Sequence, residues 1–510
     1  MKIFEWRKVS HPVRMIVVLF CLWGIIFGGT AMAVDKVLYD DFSGQYLDST
    51  KWTPLESVIK VENGKLVNQL AAKTATGSNW TGADQIVGFL NSATINTIKT
   101  TVTLQEVIFR NADTQQAGAR VVGTFYNTTN GPCNAELSIT YNYQSKTISA
   151  WYHIGNNVDH ISDAFLGNLA FNTPYDVTLG YNESDNTFTF TINGTTKSVA
   201  GLARSGAAES PYRGIHTTIW PDQNKGVDAY VAATFEDVYV NGTLYDDFNT
   251  APLNNTKWGN WETVRRIESG KLNLSVNNSG QMDRTTNSLM LAENQSSHVE
   301  ASVNVKSDSW VLNGATGLTR ISGAFYNDTY GTGSGKTYNG SEGNVAALVA
   351  IRVKADRTMY VQYYCERSDD ATWSTATTLI NGNFTTSVQF DTSAVLGLTF
   401  DASQKKIIFH CNDEQVTYNI LTPIYEANGP YRVLQSRVYA TPGQSGYMIA
   451  DIDNVYIGND LSVTPTNREV TRYAGTTTFD VANLGEETLP WTAKVISGDS
   501  WLRITSGASG

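Results

Sequence analysis

Proline is scarce in this 510-residue chain, at 12, and there are only six histidines and four cysteines. Cysteines so few and so irregularly placed do not form a disulfide framework, and no spacing of Cys and His suits a metal centre. No Gly-x-Ser-x-Gly elbow and no phosphate loop occurs, which removes the usual serine-hydrolase and nucleotide readings. No run shows a convincing helical period. Charged residues make up only 17% of the chain, while the 41% hydrophobic fraction suffices for ordinary cores and excludes global disorder.

Tyrosine is abundant, at 25, with 12 tryptophans, and Gly, Asn, Ser and Thr are dense. That mix suits many short strands joined by polar turns. The formal net charge is −11, and −14 once residues 1–33 are removed. An acidic surface repels phosphate backbones, so neither nucleic-acid binding nor charge-driven adhesion to an anionic membrane is expected.

Residues 1–33 have the form of an export signal. Basic residues precede an apolar run from Met15 to Gly29, and Ala31-Met32-Ala33 offers a small-residue cleavage site before Val34. An uncleaved anchor is the alternative, since Met15 to Ala33 nearly reaches the length of a membrane span. Either way the body is expected outside the cytoplasm, secreted or at the cell surface.

The organising feature is an internal repeat. LYDDFSGQYLDSTKWTPLESVIKVENGKL begins at Leu38, and LYDDFNTAPLNNTKWGNWETVRRIESGKL begins at Leu244, 206 positions later and without a gap. A repeat this clear outranks local secondary-structure signals. The match continues from Arg120–Asn127 to Arg320–Asn327, from Pro211-Tyr212-Arg213 to Pro430-Tyr431-Arg432, and from Phe235–Val240 to Ile452–Ile457. These blocks alternate with period two. Phe188, Phe190 and Ile192 share one face of a strand, matched by Ile407, Phe409 and Cys411. The spacing predicts an all-β chain of two tandem β-sandwich jelly rolls, over 34–242 and 243–459. Asn241-Gly242 is a strong hairpin signal and leaves almost no linker, so a stiff pair is expected. Cys365 and Cys411 match apolar positions of the first repeat and are expected to be small buried hydrophobes, with a bridge between them as the alternative. Residues 460–510 change character, with Pro465, alternating strand patterns and two Trp before a Gly/Ser run, and so short an all-β stretch is expected to be part of a domain in a chain that continues.

Two resemblances follow from these motifs. Each long repeat resembles a concanavalin A-like (laminin-G-like) jelly roll, through the DDF…KW…GKL opening and the closing Phe/Ile-acid-x-Val-Tyr strand. The tail is similar to the bacterial BACON-type immunoglobulin-like domain, through Leu461-x-Val-x-Pro465, Phe479-x-Val481-x-Asn483, Trp491-x-Ala493 and Trp501-Leu502-x-Ile504. The first specifies a fold rather than an activity. The second implies a bacterial extracellular protein.

Strand phase marks the candidate site. In the first repeat Arg120, Tyr126, Trp151, His153, His216 and Trp220 are expected to face outward. The second repeat places Arg320, Tyr326, Gln362, Tyr364, Arg437 and Tyr439 there. Aromatic faces stack on sugars, while guanidinium and amide groups bond hydroxyls. The competing reading is plain sheet surface, where aromatic residues are favoured in any case. Trp52 and Trp258 occupy one position of both repeats and are expected to serve the fold. Asp41 and Asp247 near the opening strands, with Asp237 and Asp453 in the closing strands, carry calcium-ligand chemistry if first and last strands pair. A solvated acidic edge is the alternative. No cofactor is required on this reading beyond such a structural Ca²⁺.

Enzyme readings find little support. No Glu-x-Asp-x-x-Glu strand of the kind that places two carboxylates about a glycosidic bond is present. Arg120, Tyr126, His153 and His216 would suit a polysaccharide lyase face, but the second repeat lacks both histidines. The reading is an exported, non-catalytic, lectin-like protein for glycans or cell-surface polymers. The alternatives are an adhesive or spacer protein, then a polysaccharide-cleaving enzyme.

Overall fold

The structure, a computed structural model, describes residues 36–74, 82–111, 114–221, 226–458, 461–464 and 480–483. The expected export signal and most of the expected C-terminal domain lie outside the described residues. A single 3-10 turn at Ser92–Thr94 is the only helical element among the described residues, and the rest is antiparallel sheet, turn and loop. No helix there is long and apolar enough to cross a membrane.

Two sandwiches form. The front sheet of the first runs His160–Leu169, Ile148–Gly155, Gly131–Asn142, Thr114–Thr128, Gly206–Pro221, Ala83–Gly88. The front sheet of the second runs Trp52–Thr53, Arg284–Leu291, Tyr431–Tyr439, Thr316–Asn327, Asn344–Val353, Met359–Ser368, Ala376–Asn383. Behind both lies one continuous back sheet. The period-two pattern sets which face is buried. Phe188, Phe190 and Ile192 are fully inside the first core, and Ile407, Phe409 and Cys411 fully inside the second. Cys133, Cys365 and Cys411 are buried free thiols.

The opening block of each repeat is built into the sandwich of the other. Lys36–Asp40 pairs with Ala450–Gly458, the closing strand of the second repeat, and Trp52–Thr53 extends the second front sheet. Phe42, Leu47, Trp52 and Leu55 pack in the second core. Reciprocally, Thr243–Asp246 forms a hairpin with the end of Asp228–Val240, and Phe248, Leu253 and Trp258 pack in the first core. The hairpin follows from the turn chemistry, since Asn241 and Gly242 both adopt positive φ, 49° and 82°. Once that tight turn folds the chain back, the second opening block must lie on the first sandwich, and the first block is free to fill the equivalent place on the second.

The same chemistry anchors both blocks. The indole of Trp52 donates to Asp40 Oδ2 at 2.6 Å, and that of Trp258 to Asp246 Oδ2 at 2.8 Å. A buried carboxylate closes each block. Glu262 Oε1 accepts from the backbone of Leu253 at 3.0 Å and of Val61 at 2.7 Å, and its Oε2 accepts from Tyr447 Oη at 2.8 Å. Burial raises the Glu262 carboxyl above its ordinary range, against these hydrogen bonds. The back sheets meet where Ser57–Glu62 pairs with Thr263–Glu268, Val58 lying opposite Val264.

Arg213 and Arg432, from the matched Pro-Tyr-Arg blocks, are buried staples. Arg213 donates to Ile95 O at 2.8 Å, and Arg432 to Ser296 O and Ala324 O, each at 2.7 Å. A Cβ at Gly123 would stand 2.4 Å from Arg213 Cδ, and one at Gly323 would stand 2.9 Å from Arg432 Cδ. The glycine in each matched block leaves room for the guanidinium stem. At the C-terminal end, Leu461–Thr464 pairs antiparallel with Asp480–Asn483, Val463 opposite Val481.

Candidate functional site: the outward sheet faces

On the first front sheet, one cross-strand row carries Ile86, His216, Arg120, Ser138 and Trp151. The adjoining row brings Glu136 beside His153. Arg120 is held on three sides. It bonds both Asp84 oxygens at 2.9 Å, pairs with Glu136, and lies 5.3 Å from the centre of the Trp220 ring. Trp151 is 37% exposed, its indole donating to Ser149 Oγ at 2.8 Å. His153 Nε2 stands 3.3 Å from His160 Nδ1, and burial lowers its basicity. His216 is buried and hydrogen-bonded to Tyr212 Oη. Burial, then the Arg120 charge, holds His216 neutral.

Two expected site residues lie elsewhere. Tyr126 and Tyr326 are fully buried rather than outward. The cause is a register shift in each strand, between Thr124 and Tyr126 and between Ala324 and Tyr326. A bulge breaks the period-two alternation, so Phe125 and Tyr126 both turn inward. Tyr126 Oη donates to Leu202 O at 2.9 Å.

The second front sheet keeps its other expected residues on one outward face. Arg320 donates to Gln435 Oε1 at 2.7 Å, Gln362 to Asn381 Oδ1 at 2.7 Å, and Tyr364 to Glu366 Oε2 at 2.8 Å. Arg437 donates to Tyr439 Oη at 2.6 Å. Burial alone would raise the Tyr439 phenol, but Arg437 draws it below its ordinary range. Beneath these groups Leu318, Leu348 and Ala350 form a small apolar floor, with Tyr364 and Tyr439 packed on it. Beside it lies an open depression of about 420 Å³ lined by Lys354, Tyr360, Gln362, Asn381, Gly382 and Asn383.

The acidic positions distribute across the exchange. Asp41 follows the strand paired with the one that carries Asp453, and Asp247 follows the strand paired with the one that carries Asp237. Asp41 Oδ1 accepts from Ser43 N at 3.0 Å and Asp247 Oδ1 from Asn249 N at 3.1 Å, so each closes its own turn. Among the described residues no group of three or more His, Cys, Asp or Glu side chains is placed to hold a metal ion.

Sequence reasoning placed Tyr360 on the second face beside Gln362 and Tyr364 by strand phase, but missed Tyr212, Asp84 and Glu136 on the first face and Arg352 on the second. The matched Pro-Tyr-Arg blocks pointed to Tyr212. Alternation in Gly131–Asn142, where Leu137 and Ile139 are inward, put Glu136 outward. Asp84 has no such signal, because its partnership with Arg120 depends on strand order across the sheet.

No family model matches the chain, and no curated protein matches it. Solved structures do align with it. Domains LG4-5 of the mouse laminin alpha1 chain align at 8% identity and a TM-score of 0.22, over 70% of this chain and 79% of that one. A variant of the alginate lyase Aly36B in complex with alginate trisaccharide aligns at 12% and 0.23, over 38% and 83%. A sialidase aligns at 9% and 0.21, over 66% and 32%.

Proposed function

We propose that the chain is an exported, non-catalytic protein that recognises glycans through the outward faces of its two front sheets. The observation that carries this is the depression on the second face. Tyr360 supplies an aromatic wall, Gln362, Asn381 and Asn383 supply amides, and Lys354 supplies a cation. An apolar surface with a few convergent polar groups is what a sugar ring requires. On the first face, exposed Trp151 offers the matching stacking surface. Two weak sites on one stiff body gain by avidity on a polymer.

Affinity electrophoresis through gels cast with soluble polysaccharides tests the reading. The chain is expected to be retarded by at least one polymer, and the Trp151→Ala, Tyr360→Ala double variant to run freely. Equal retardation of both proteins would remove these faces as the site.

A second reading rests on one geometry. Neutral His216 bonded to Tyr212 beside Arg120 is an acid–base arrangement, which would suit glycan cleavage on the first face. New reducing ends or unsaturated products from a retained polymer would favour it.

A further inference from the structure

The two faces differ in how their arginines are neutralised. Arg120 of the first face is paired with Asp84 and Glu136. Arg320 holds the corresponding place on the second face, where register puts Thr286 in the position of Asp84 and Leu348 in the position of Glu136. Both counter-charges are gone. Two arginines are added, since Arg437 stands where the first face has Thr218, and Arg352 where it has Thr140.

Arg437 and Arg352 flank Leu318 in one cross-strand row, with Arg320 two residues along the same strand as Leu318. Side chains so placed are neighbours. No ion pair joins Arg320, Arg352 or Arg437 to a carboxylate among the described residues. They donate instead to neutral partners, Arg320 to Gln435, Arg352 to Gln362 and Arg437 to Tyr439. The Arg437 Nε is buried and has no hydrogen-bond partner. Arg352 bonds Gln362, a wall of the depression that Lys354 also lines. Three guanidiniums therefore gather over an apolar floor, on a chain whose net charge is −11. Like charges held together without a counter-ion are costly, and an incoming anion would relieve that cost. Guanidinium matches planar or tetrahedral oxyanions through paired donors.

We infer that the second face takes an acidic glycan, with carboxylate or sulfate groups seated on Arg320, Arg352 and Arg437 and the sugar ring against Tyr360, Tyr364 and Tyr439. This rests on the glycan-recognition reading above. The first face, its arginine already neutralised, would take the neutral parts of the same polymer or a neutral glycan.

The test uses the full chain in affinity electrophoresis against polygalacturonate, hyaluronate and chondroitin sulfate. Methyl-esterified forms of the first two, desulfated chondroitin and the methyl ester of that desulfated chondroitin serve as matched controls, and neutral galactan as a further probe. Expected is retardation by at least one acidic polymer, weakened at least tenfold by esterification or desulfation and by raised salt. Loss on esterification assigns the arginines to carboxylate, and loss on desulfation to sulfate. Arg352→Gln with Arg437→Gln should weaken binding at least tenfold. Thr286→Asp restores an acid at an exposed position and should do the same without truncating any contact group. An unchanged melting temperature shows that each variant is folded. Equal retardation by acidic polymers and their neutralised forms, or no response to either variant, would overturn the acidic preference. If Tyr360→Ala still abolished binding in that case, glycan recognition itself would stand. No retardation by any polymer, neutral galactan included, would end both readings.

Discussion

Val58 and Val264, the same position of the two repeats, face each other across the strand pair that joins the sandwiches. The joint is thus its own counterpart under exchange of the repeats, and a local two-fold passes through that pair. Around it the opening blocks change places, so the core of each sandwich depends on residues from the other repeat. The two outward faces are carried on one body, which is what simultaneous contact with a single polymer requires.

The exchange predicts that fragments cut at the repeat boundary fold poorly. Residues 34–242 lack the Trp258 block that fills their core, whereas 57–262 contain it. Expressed alone, 57–262 should unfold cooperatively on heating, and 34–242 should be less stable. Differential scanning calorimetry of the two fragments decides it, and the opposite order would count against the exchange.

Trp258 and Glu262 should be stability determinants of the first sandwich although they belong to the second repeat. Trp258→Ala is expected to cost about 3–5 kcal/mol as a large core truncation. Glu262→Ala should cost about 2–3 kcal/mol by stranding buried donors, whereas Glu262→Gln, which can still accept from Val61 and Leu253, should cost less. Hydrogen exchange should show the Trp258→Ala loss first in the strands of the first sandwich.

Acid should destabilise the chain through buried histidine. His298 bonds Thr399 Oγ1 at 2.8 Å, with Glu300, His410 and Lys36 also around it, and burial lowers it to about 3. Its ordinary value in the unfolded chain is 6.5. The unfolded state therefore binds the proton more readily between these values, and stability is lost as pH falls below about 6.5. At pH 5 the loss is about 2 kcal/mol. Glu262, raised by burial, acts in the opposite sense, its contribution fading as pH rises through its folded value. Urea unfolding at pH 7 and pH 5 should show the histidine effect, and His298→Gln should flatten it.

Calcium is expected to matter little to the fold, because Asp41 and Asp247 already close their own turns. Melting in calcium and in chelator should agree within about a degree, with 1 kcal/mol of binding worth about 2–4 degrees in a domain of this size. A larger rise in calcium would point to a site completed outside the described residues.

Much of the fold was legible because period-two alternation reports burial directly, as at Phe188, Phe190 and Ile192. The Asn241-Gly242 turn was legible too, but its consequence was not, since a hairpin signal does not say which core the following block will fill. Tyr126 shows the limit of alternation, because one bulged residue inverts the face of its neighbour without altering composition. Arg120, Trp151 and His153 were placed outward by phase alone. Whether Arg120 was free or neutralised depended on Asp84, which sits 36 residues away in the chain and reaches Arg120 only through sheet order.

A broad glycan array probed with residues 34–459, in calcium and in chelator, would be the most direct measurement. Specific binding to a defined set of glycans, in both conditions and lost in the Trp151→Ala, Tyr360→Ala variant, is the predicted result. A blank array with protein shown to be folded by its near-ultraviolet spectrum would contradict glycan recognition, and would move the function to adhesion or spacing on the cell surface.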